Sequence, residues 1–217
     1  MQRKFMIGSA AVSAVFILSG LLQLYYSKKQ RKSDFDVEDV ARDVMVKFKE
    51  CFPQTIAIPQ SNKFSIVSYH QLNLNKNSNH FIHVALRTVD CIQDLIYVFP
   101  HELDGDSPKS AIILIKLGNF VDGHNGIVHG GLVSAIIDEM FGALFFKANT
   151  HNKSIHGVTA NLNINYRKPV KPNKWIIWFG AIEKVENRKT FLMAKIFNMN
   201  LELLADSTCL FVVPKDK

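Results

Sequence analysis

GHNGIVHGGLVSAIIDEMFGALFF, residues Gly123–Phe146, is the stretch whose reading decides the fold. A glycine-rich turn opens it, and an apolar segment long enough for about four helical turns follows. The segment is apolar almost all round, the pattern of a helix buried inside a domain rather than one lying on its surface. Asp138 and Glu139 nevertheless stand in its middle, and a buried carboxylate is costly unless it is paired or functional. The two acids also exclude a membrane span here, because they would sit near the bilayer centre.

The spacing within the stretch has chemical consequences. A helix starting near Gly130 leaves its first-turn amides without intrahelical partners, at the positive end of the dipole. Gly130 and Gly131 lack a Cβ, so another molecule's oxygen can approach those amides, a candidate oxyanion hole. Asp138 lies seven residues after Gly131 and therefore on the same helix face, with Ala135 and Gly142 beside it. A carboxylate in such a groove can act as a general base for water or as a nucleophile. Gly-Gly before a helix is also an ordinary turn, and one Asp in a helix is often simply paired, so spacing alone leaves both readings open.

Outward from the helix, the C-terminal side reads as strand after strand. In TANLNINY, Thr159, Asn161, Asn163 and Asn165 alternate with Ala160, Leu162, Ile164 and Tyr166, a period of two. WIIWFGAIEKV, TFLMAKIFN and ADSTCLFVV follow, with turns expected at Lys171–Lys174, Asn187–Lys189 and Met199–Leu201. On the N-terminal side, SAIILIKLG (Ser110–Gly118) reads as a buried strand, and FIHVALRTV and CIQDLIYVF as further strand candidates. One long buried helix followed by an antiparallel meander is an α+β arrangement.

The first 32 residues differ from the rest. Phe5–Tyr26 is 22 residues without a charge, flanked by Arg3, Lys4, Lys28, Lys29, Arg31 and Lys32. This reads as an uncleaved single-pass membrane anchor, with the folded part on the non-translocated side, in preference to a cleaved secretory signal. An acid-free basic N-terminus also fits mitochondrial targeting. Of the chain's net charge of +7, only +1 remains beyond residue 32, which excludes a general nucleic-acid footprint. Ser33–Phe52 is expected to be helical, with Val37, Val40, Val44 and Phe48 as its stripe. The expected organisation is therefore an anchor over 1–32, a helix and extension over 33–109, and the main domain over 110–217.

Three widely spaced cysteines, Cys51, Cys91 and Cys209, fit neither a disulfide framework nor a zinc site. His124 and His129, five residues apart with no second carboxylate or Cys partner, are too weak a pattern to assign a metal. His70, His80, His83 and His101 read as surface or packing residues. No metal or cofactor is assigned.

GIVHGGLVSAIIDE resembles the signature of hotdog-fold acyl-CoA thioesterases, HGG with an Asp nine residues after the His. TANLNINYRKPV (Thr159–Val170) resembles the strand after the central helix in the thioesterase-superfamily-member-4 (mitochondrial) branch and its fungal relatives. ENRKTFLMAKIF (Glu186–Phe197) resembles the family's next hairpin. The resemblance covers roughly Ser110 to Val213 and implies a hotdog fold, an antiparallel sheet wrapped around a long helix. It implies hydrolysis of fatty acyl-CoA to free fatty acid and CoA, with Asp138 as base or nucleophile and the Gly130 amide as oxyanion donor. It further implies His129 holding the turn, Thr159 placing water, and Gly131, Asn165, Arg167, Arg188 and Lys189 binding CoA. The active unit it implies is a homodimer or dimer of dimers, in which Asp and glycine turn meet across the interface. It favours the mitochondrion over the endoplasmic reticulum, without separating inner from outer membrane.

Two positions depart from the family. Many members carry an Asn six residues before the His, as a second oxyanion donor, where this chain has Gly123. The glycine of the hairpin turn is Asn187, a residue that tolerates positive φ. The Gly123 departure keeps a second reading open, a catalytically weak hotdog protein binding acyl-CoA or a protein partner at a mitochondrial membrane. A dehydratase or hydratase is disfavoured, since those enzymes resemble one another in an Asp/His or His/Glu pairing.

Overall fold

The computed structural model describes residues 64–68, 80–100, 107–150 and 155–215. The anchor expected over Phe5–Tyr26 and the helix expected over Ser33–Phe52 lie outside them. Among the described residues, no helix is long and apolar enough to cross a membrane.

The central helix, α1, runs Gly130–Ala148, about 28 Å at 1.5 Å per residue. It buries Val133, Ile136, Ile137, Met140, Phe141, Leu144 and Phe145. Strands β1 (Phe64–Ser68), β2 (Ile92–Pro100) and β3 (Ser110–Leu117) precede it, with a small hairpin of β4 (Asp122–His124) and β5 (Ile127–Val128). β6 (Val158–Tyr166), β7 (Trp175–Glu186), β8 (Lys189–Asn198) and β9 (Leu203–Val212) follow. Seven strands form one antiparallel sheet in the order β1-β2-β3-β7-β8-β9-β6. The helix packs on that sheet, touching β3, β6, β7, β8 and β9. This is the hotdog arrangement.

CIQDLIYVF forms the expected strand as β2, and with it the sheet extends past the boundary expected at residue 110. The boundary expected at residue 110 falls between β2 and β3, which are hydrogen-bonded neighbours. β2 is buried along almost its whole length and shares the core. FIHVALRTV is not a strand: Phe81–Ala85 is a π-helical turn with Ile82 and His83 buried. The expected turns recur with positive φ at Asn173 (53°), Asn187 (53°) and Leu201 (58°). Asx residues tolerate that region; a Leu there is uncommon.

Aromatic contacts fix the helix on the sheet. Phe141 meets Trp178 of β7 edge to face, with centroids 5.4 Å apart, and Phe145 stacks on Phe211 of β9 at 4.9 Å. A Cβ at Gly180 would overlap the Trp178 ring, so the glycine gives the indole its space. Phe141 is fully buried. Replacing Phe141 with Ala is expected to cost about 3–5 kcal/mol, read as a lower urea midpoint at unchanged m-value.

Candidate active site

The turn into α1 is built by short hydrogen bonds. Gly126, at φ 69°, lets the β4–β5 hairpin close, and Asp122 Oδ2 accepts its amide at 2.7 Å. The amides of Val128 and His129 donate to the carbonyls of Val170 and Val121. His129 is the N-cap of α1: its Nδ1 accepts the Gly131 amide at 2.9 Å. The Gly131 amide is therefore occupied within the chain. Gly130 is exposed, and its amide has no acceptor among the described residues. The carbonyl on its other side is held by Ser134 Oγ at 2.9 Å and the Tyr166 hydroxyl at 3.0 Å, themselves 2.6 Å apart. Sequence reading did not single out Ser134 or Tyr166; their spacing carries no signal, because the contact spans 32 residues.

Gly123 also has a structural reason. A Cβ there would lie 2.9 Å from His129 Cα, so an Asn side chain has no room on this backbone. Residue 123 therefore carries no side-chain donor.

Asp138 is half-buried and receives a hydrogen bond from Thr159 Oγ1 at 2.8 Å. A β-bulge makes that contact possible. Thr159 pairs with Phe211 and Asn161 with Leu210, leaving Ala160 as the extra residue. Cross-strand partners share a face, and Phe211 stacks on Phe145 of the helix, so Thr159 faces the helix too. In a regular strand Thr159 would share the face of Asn161. Neither Gly nor Pro announces the bulge.

Asp138 and Thr159 line a cavity of about 760 Å³ whose walls include Tyr97, Phe99, Phe146 and Phe211. His129, Gly130, Tyr166 and Arg167 line a different cavity of about 600 Å³. Gly130 and Asp138 are eight residues apart on α1, about 12 Å along its axis. One chain thus presents a carboxylate and a free amide in separate pockets.

The basic candidates divide in the same way. Arg167, just after β6, holds Asp206 through Nε and Nη2, with the shortest contacts at 2.8 Å. Hydrogen bonds from Arg167 keep the Asp206 carboxyl below its ordinary range, and Asn165 adds another. Arg188 donates to the Val213 carbonyl at 2.6 Å, and Lys189 is paired with Val212, next to the start of β6. Asn165 and Arg167 lie at one end of β6, Arg188 and Lys189 at the other.

His80 and His83, read from the sequence as surface or packing residues, converge instead on Glu139. His83 Nε2 is 2.9 Å and His80 Nε2 3.5 Å from Glu139 Oε1. Among the described residues this is the cluster able to hold a metal ion. It lies on the wall of the Asp138 cavity. The i, i+3 spacing of the two histidines was visible, but the partner is 56 residues away.

The profile of the Thioesterase superfamily matches residues 125–205. Acyl-coenzyme A thioesterase THEM4 of Mus musculus is 30% identical over 105 residues, 48% of this chain and 43% of the relative. An uncharacterized mitochondrial protein of Candida albicans (strain WO-1) is 28% identical over 105 residues, 46% of each chain. The chain thus spans less than half the length of these relatives. A hypothetical thioesterase protein of Streptococcus pneumoniae TIGR4, solved with coenzyme A, superposes with a TM-score of 0.46 at 19% identity, covering 56% of this chain and 88% of its own.

Cys209, opposite Leu162 on β9, gives a check on the geometry around Asp138. Burial first, and the Asp138 charge second, push its thiol up to about 12. Peptide mapping after iodoacetamide at pH 8 should find Cys209 unmodified in folded protein and alkylated in urea, because the thiolate is the reactive form.

Proposed function

We propose, from the match of residues 125–205 to the Thioesterase superfamily, that this chain hydrolyses fatty acyl-CoA thioesters to free fatty acid and CoA. The observation that carries the reading is the Thr159–Asp138 hydrogen bond on the wall of an aromatic-lined cavity. Thr159 occupies Oδ1, which leaves Oδ2 of Asp138 to take a proton from water. The water oxygen bonds to the thioester carbonyl carbon, the carbonyl electrons move to oxygen, and the Gly130 amide stabilises that charge. Collapse expels the CoA thiolate, which takes up the proton. Direct attack by Asp138 would give an acyl anhydride that water then hydrolyses, with the same products.

The active unit in this reading is a homodimer, alone or within a dimer of dimers. Among the described residues β6 is a terminal strand of the sheet, and Val158 and Tyr166 at its ends are about half exposed. Antiparallel pairing of two β6 edges about a two-fold axis sets the Thr159 end of one copy beside the Tyr166 end of the other. That brings Asp138 and Thr159, with Arg188 and Lys189, to the Gly130 amide and Arg167 of the second copy. Arg and Lys suit the phosphates of CoA. A carboxylate and an amide that are apart in one chain then share a substrate.

The name of the Candida albicans relative includes "mitochondrial". Together with the basic-flanked apolar run Phe5–Tyr26, it supports a single-pass protein of a mitochondrial membrane.

The first test measures free thiol released from short to long acyl-CoA thioesters by the full chain and by Asp138→Asn. Turnover is expected to fall by about 10²–10⁴-fold in the variant, the usual worth of a general base. Absence of turnover in folded wild type that still binds acyl-CoA would overturn the reading in favour of a binding protein. The second test uses Gly130→Pro. Proline is tolerated at the first helical position, and its missing proton removes the oxyanion donor. A heterodimer of Asp138→Asn with Gly130→Pro should recover roughly half of wild-type turnover, since one composite site is then intact. Two inactive homodimers whose heterodimer also stays inactive would place both groups in the same chain's site.

A further inference from the structure

Thioester hydrolysis leaves unused the side chains of His80, His83 and Glu139. The two imidazole Nε2 atoms lie 3.5 and 2.9 Å from one oxygen of Glu139, with ring centroids 4.6 Å apart. The ligand-capable atoms of the three residues all fall within 4.8 Å of one another. Ligands bonded at about 2.0–2.1 Å in a tetrahedron are about 3.4 Å apart, and the two separations from the carboxylate oxygen bracket that value. The backbone is also unusual at this place. His80 caps a π-helical turn and His83 lies within it, and such turns are rare and frequent at functional sites.

We propose that His80, His83 and Glu139 bind one divalent transition-metal ion of the zinc class. Two imidazoles and a carboxylate are a donor set that zinc accepts, whereas calcium and magnesium call for oxygen ligands and Cu(I) for thiolates or thioethers. Three protein ligands leave the fourth position of a tetrahedral ion to water. All three residues line the cavity that also contains Asp138, so the site is of the open kind rather than a closed structural one.

His80 Nδ1 accepts the His83 amide at a long 3.3 Å. Coordination through Nε2 puts the imidazole proton on Nδ1 and ends that contact. The His80 side chain is 38% exposed. His83 and Glu139, at 8% and 22%, are held more firmly and form the fixed part of the site.

The inference goes beyond the thioesterase reading and is tested without activity. The full chain, prepared without a histidine tag and stripped with chelator, is titrated with Zn²⁺ against a chromophoric competitor and with Co²⁺ in the visible range. One Zn²⁺ per chain is expected, with a Co²⁺ d–d band of tetrahedral intensity. Glu139→Gln and His83→Gln should each weaken Zn²⁺ binding at least about tenfold, the minimum seen for losses around a metal. His80→Gln, changed at a partly exposed ring and checked by near-ultraviolet circular dichroism, should weaken it too and abolish the Co²⁺ band. Zn²⁺ binding unchanged by all three substitutions, or no binding at micromolar Zn²⁺ by folded wild type, would overturn the proposal.

Discussion

Two adjacent half-buried carboxylates in the middle of a helix that buries one face must each find a partner, and the surrounding structure depends on how they do so. Consecutive residues on a helix point about 100° apart, so Asp138 and Glu139 cannot share one. Asp138 is satisfied by Thr159 of β6, and Glu139 by His83 of the π-turn before β2. The helix is thereby tied on two sides to elements far away in sequence. The cavity that both carboxylates line opens between those two ties. Half-buried carboxylates of this kind are retained at a cost in stability, beside a core that is otherwise apolar.

β6 carries the second constraint. It is at once an edge strand, the partner of the catalytic candidate at its start, and the support of the turn into α1 at its end through Tyr166. Its bulge at Ala160 turns Thr159 inward, and the regular stretch after it leaves Asn161, Asn163 and Asn165 exposed. An edge strand is ordinarily blunted by charge, proline or a cover, and β6 has uncharged asparagines along its exposed face. In the proposed dimer that edge is paired, and the strand's length separates the two halves of a site that the two-fold axis rejoins. His129 has a different part: it uses its side chain to cap the helix and takes up the Gly131 amide, leaving the Gly130 amide without an acceptor among the described residues.

Much of the fold was legible in the chain alone. The starting point of α1, its burial, and the strands β3 and β6 to β9 followed from periodicity and turn residues, because those signals are local. The extent of the sheet was not legible in the same way. CIQDLIYVF pairs as β2 with β3, but FIHVALRTV, also mostly apolar, forms a π-turn, since a short apolar run does not by itself distinguish strand from helix. At the site, Asp138, Gly130 and Thr159 stood out through the HGG spacing and the resemblance it carries. Tyr166, Ser134 and the His80–His83–Glu139 cluster did not.

The sequence by itself determined which segment is the buried helix, where it begins, and that a carboxylate in its middle demands a partner. These depend on residue type and spacing within a few turns, where the physics of burial and capping is local. Only the tertiary structure decided which partner each carboxylate takes, that a bulge turns Thr159 toward the helix, and that two histidines meet Glu139. Those outcomes depend on strand register and on packing between residues tens of positions apart, and no local pattern encodes them.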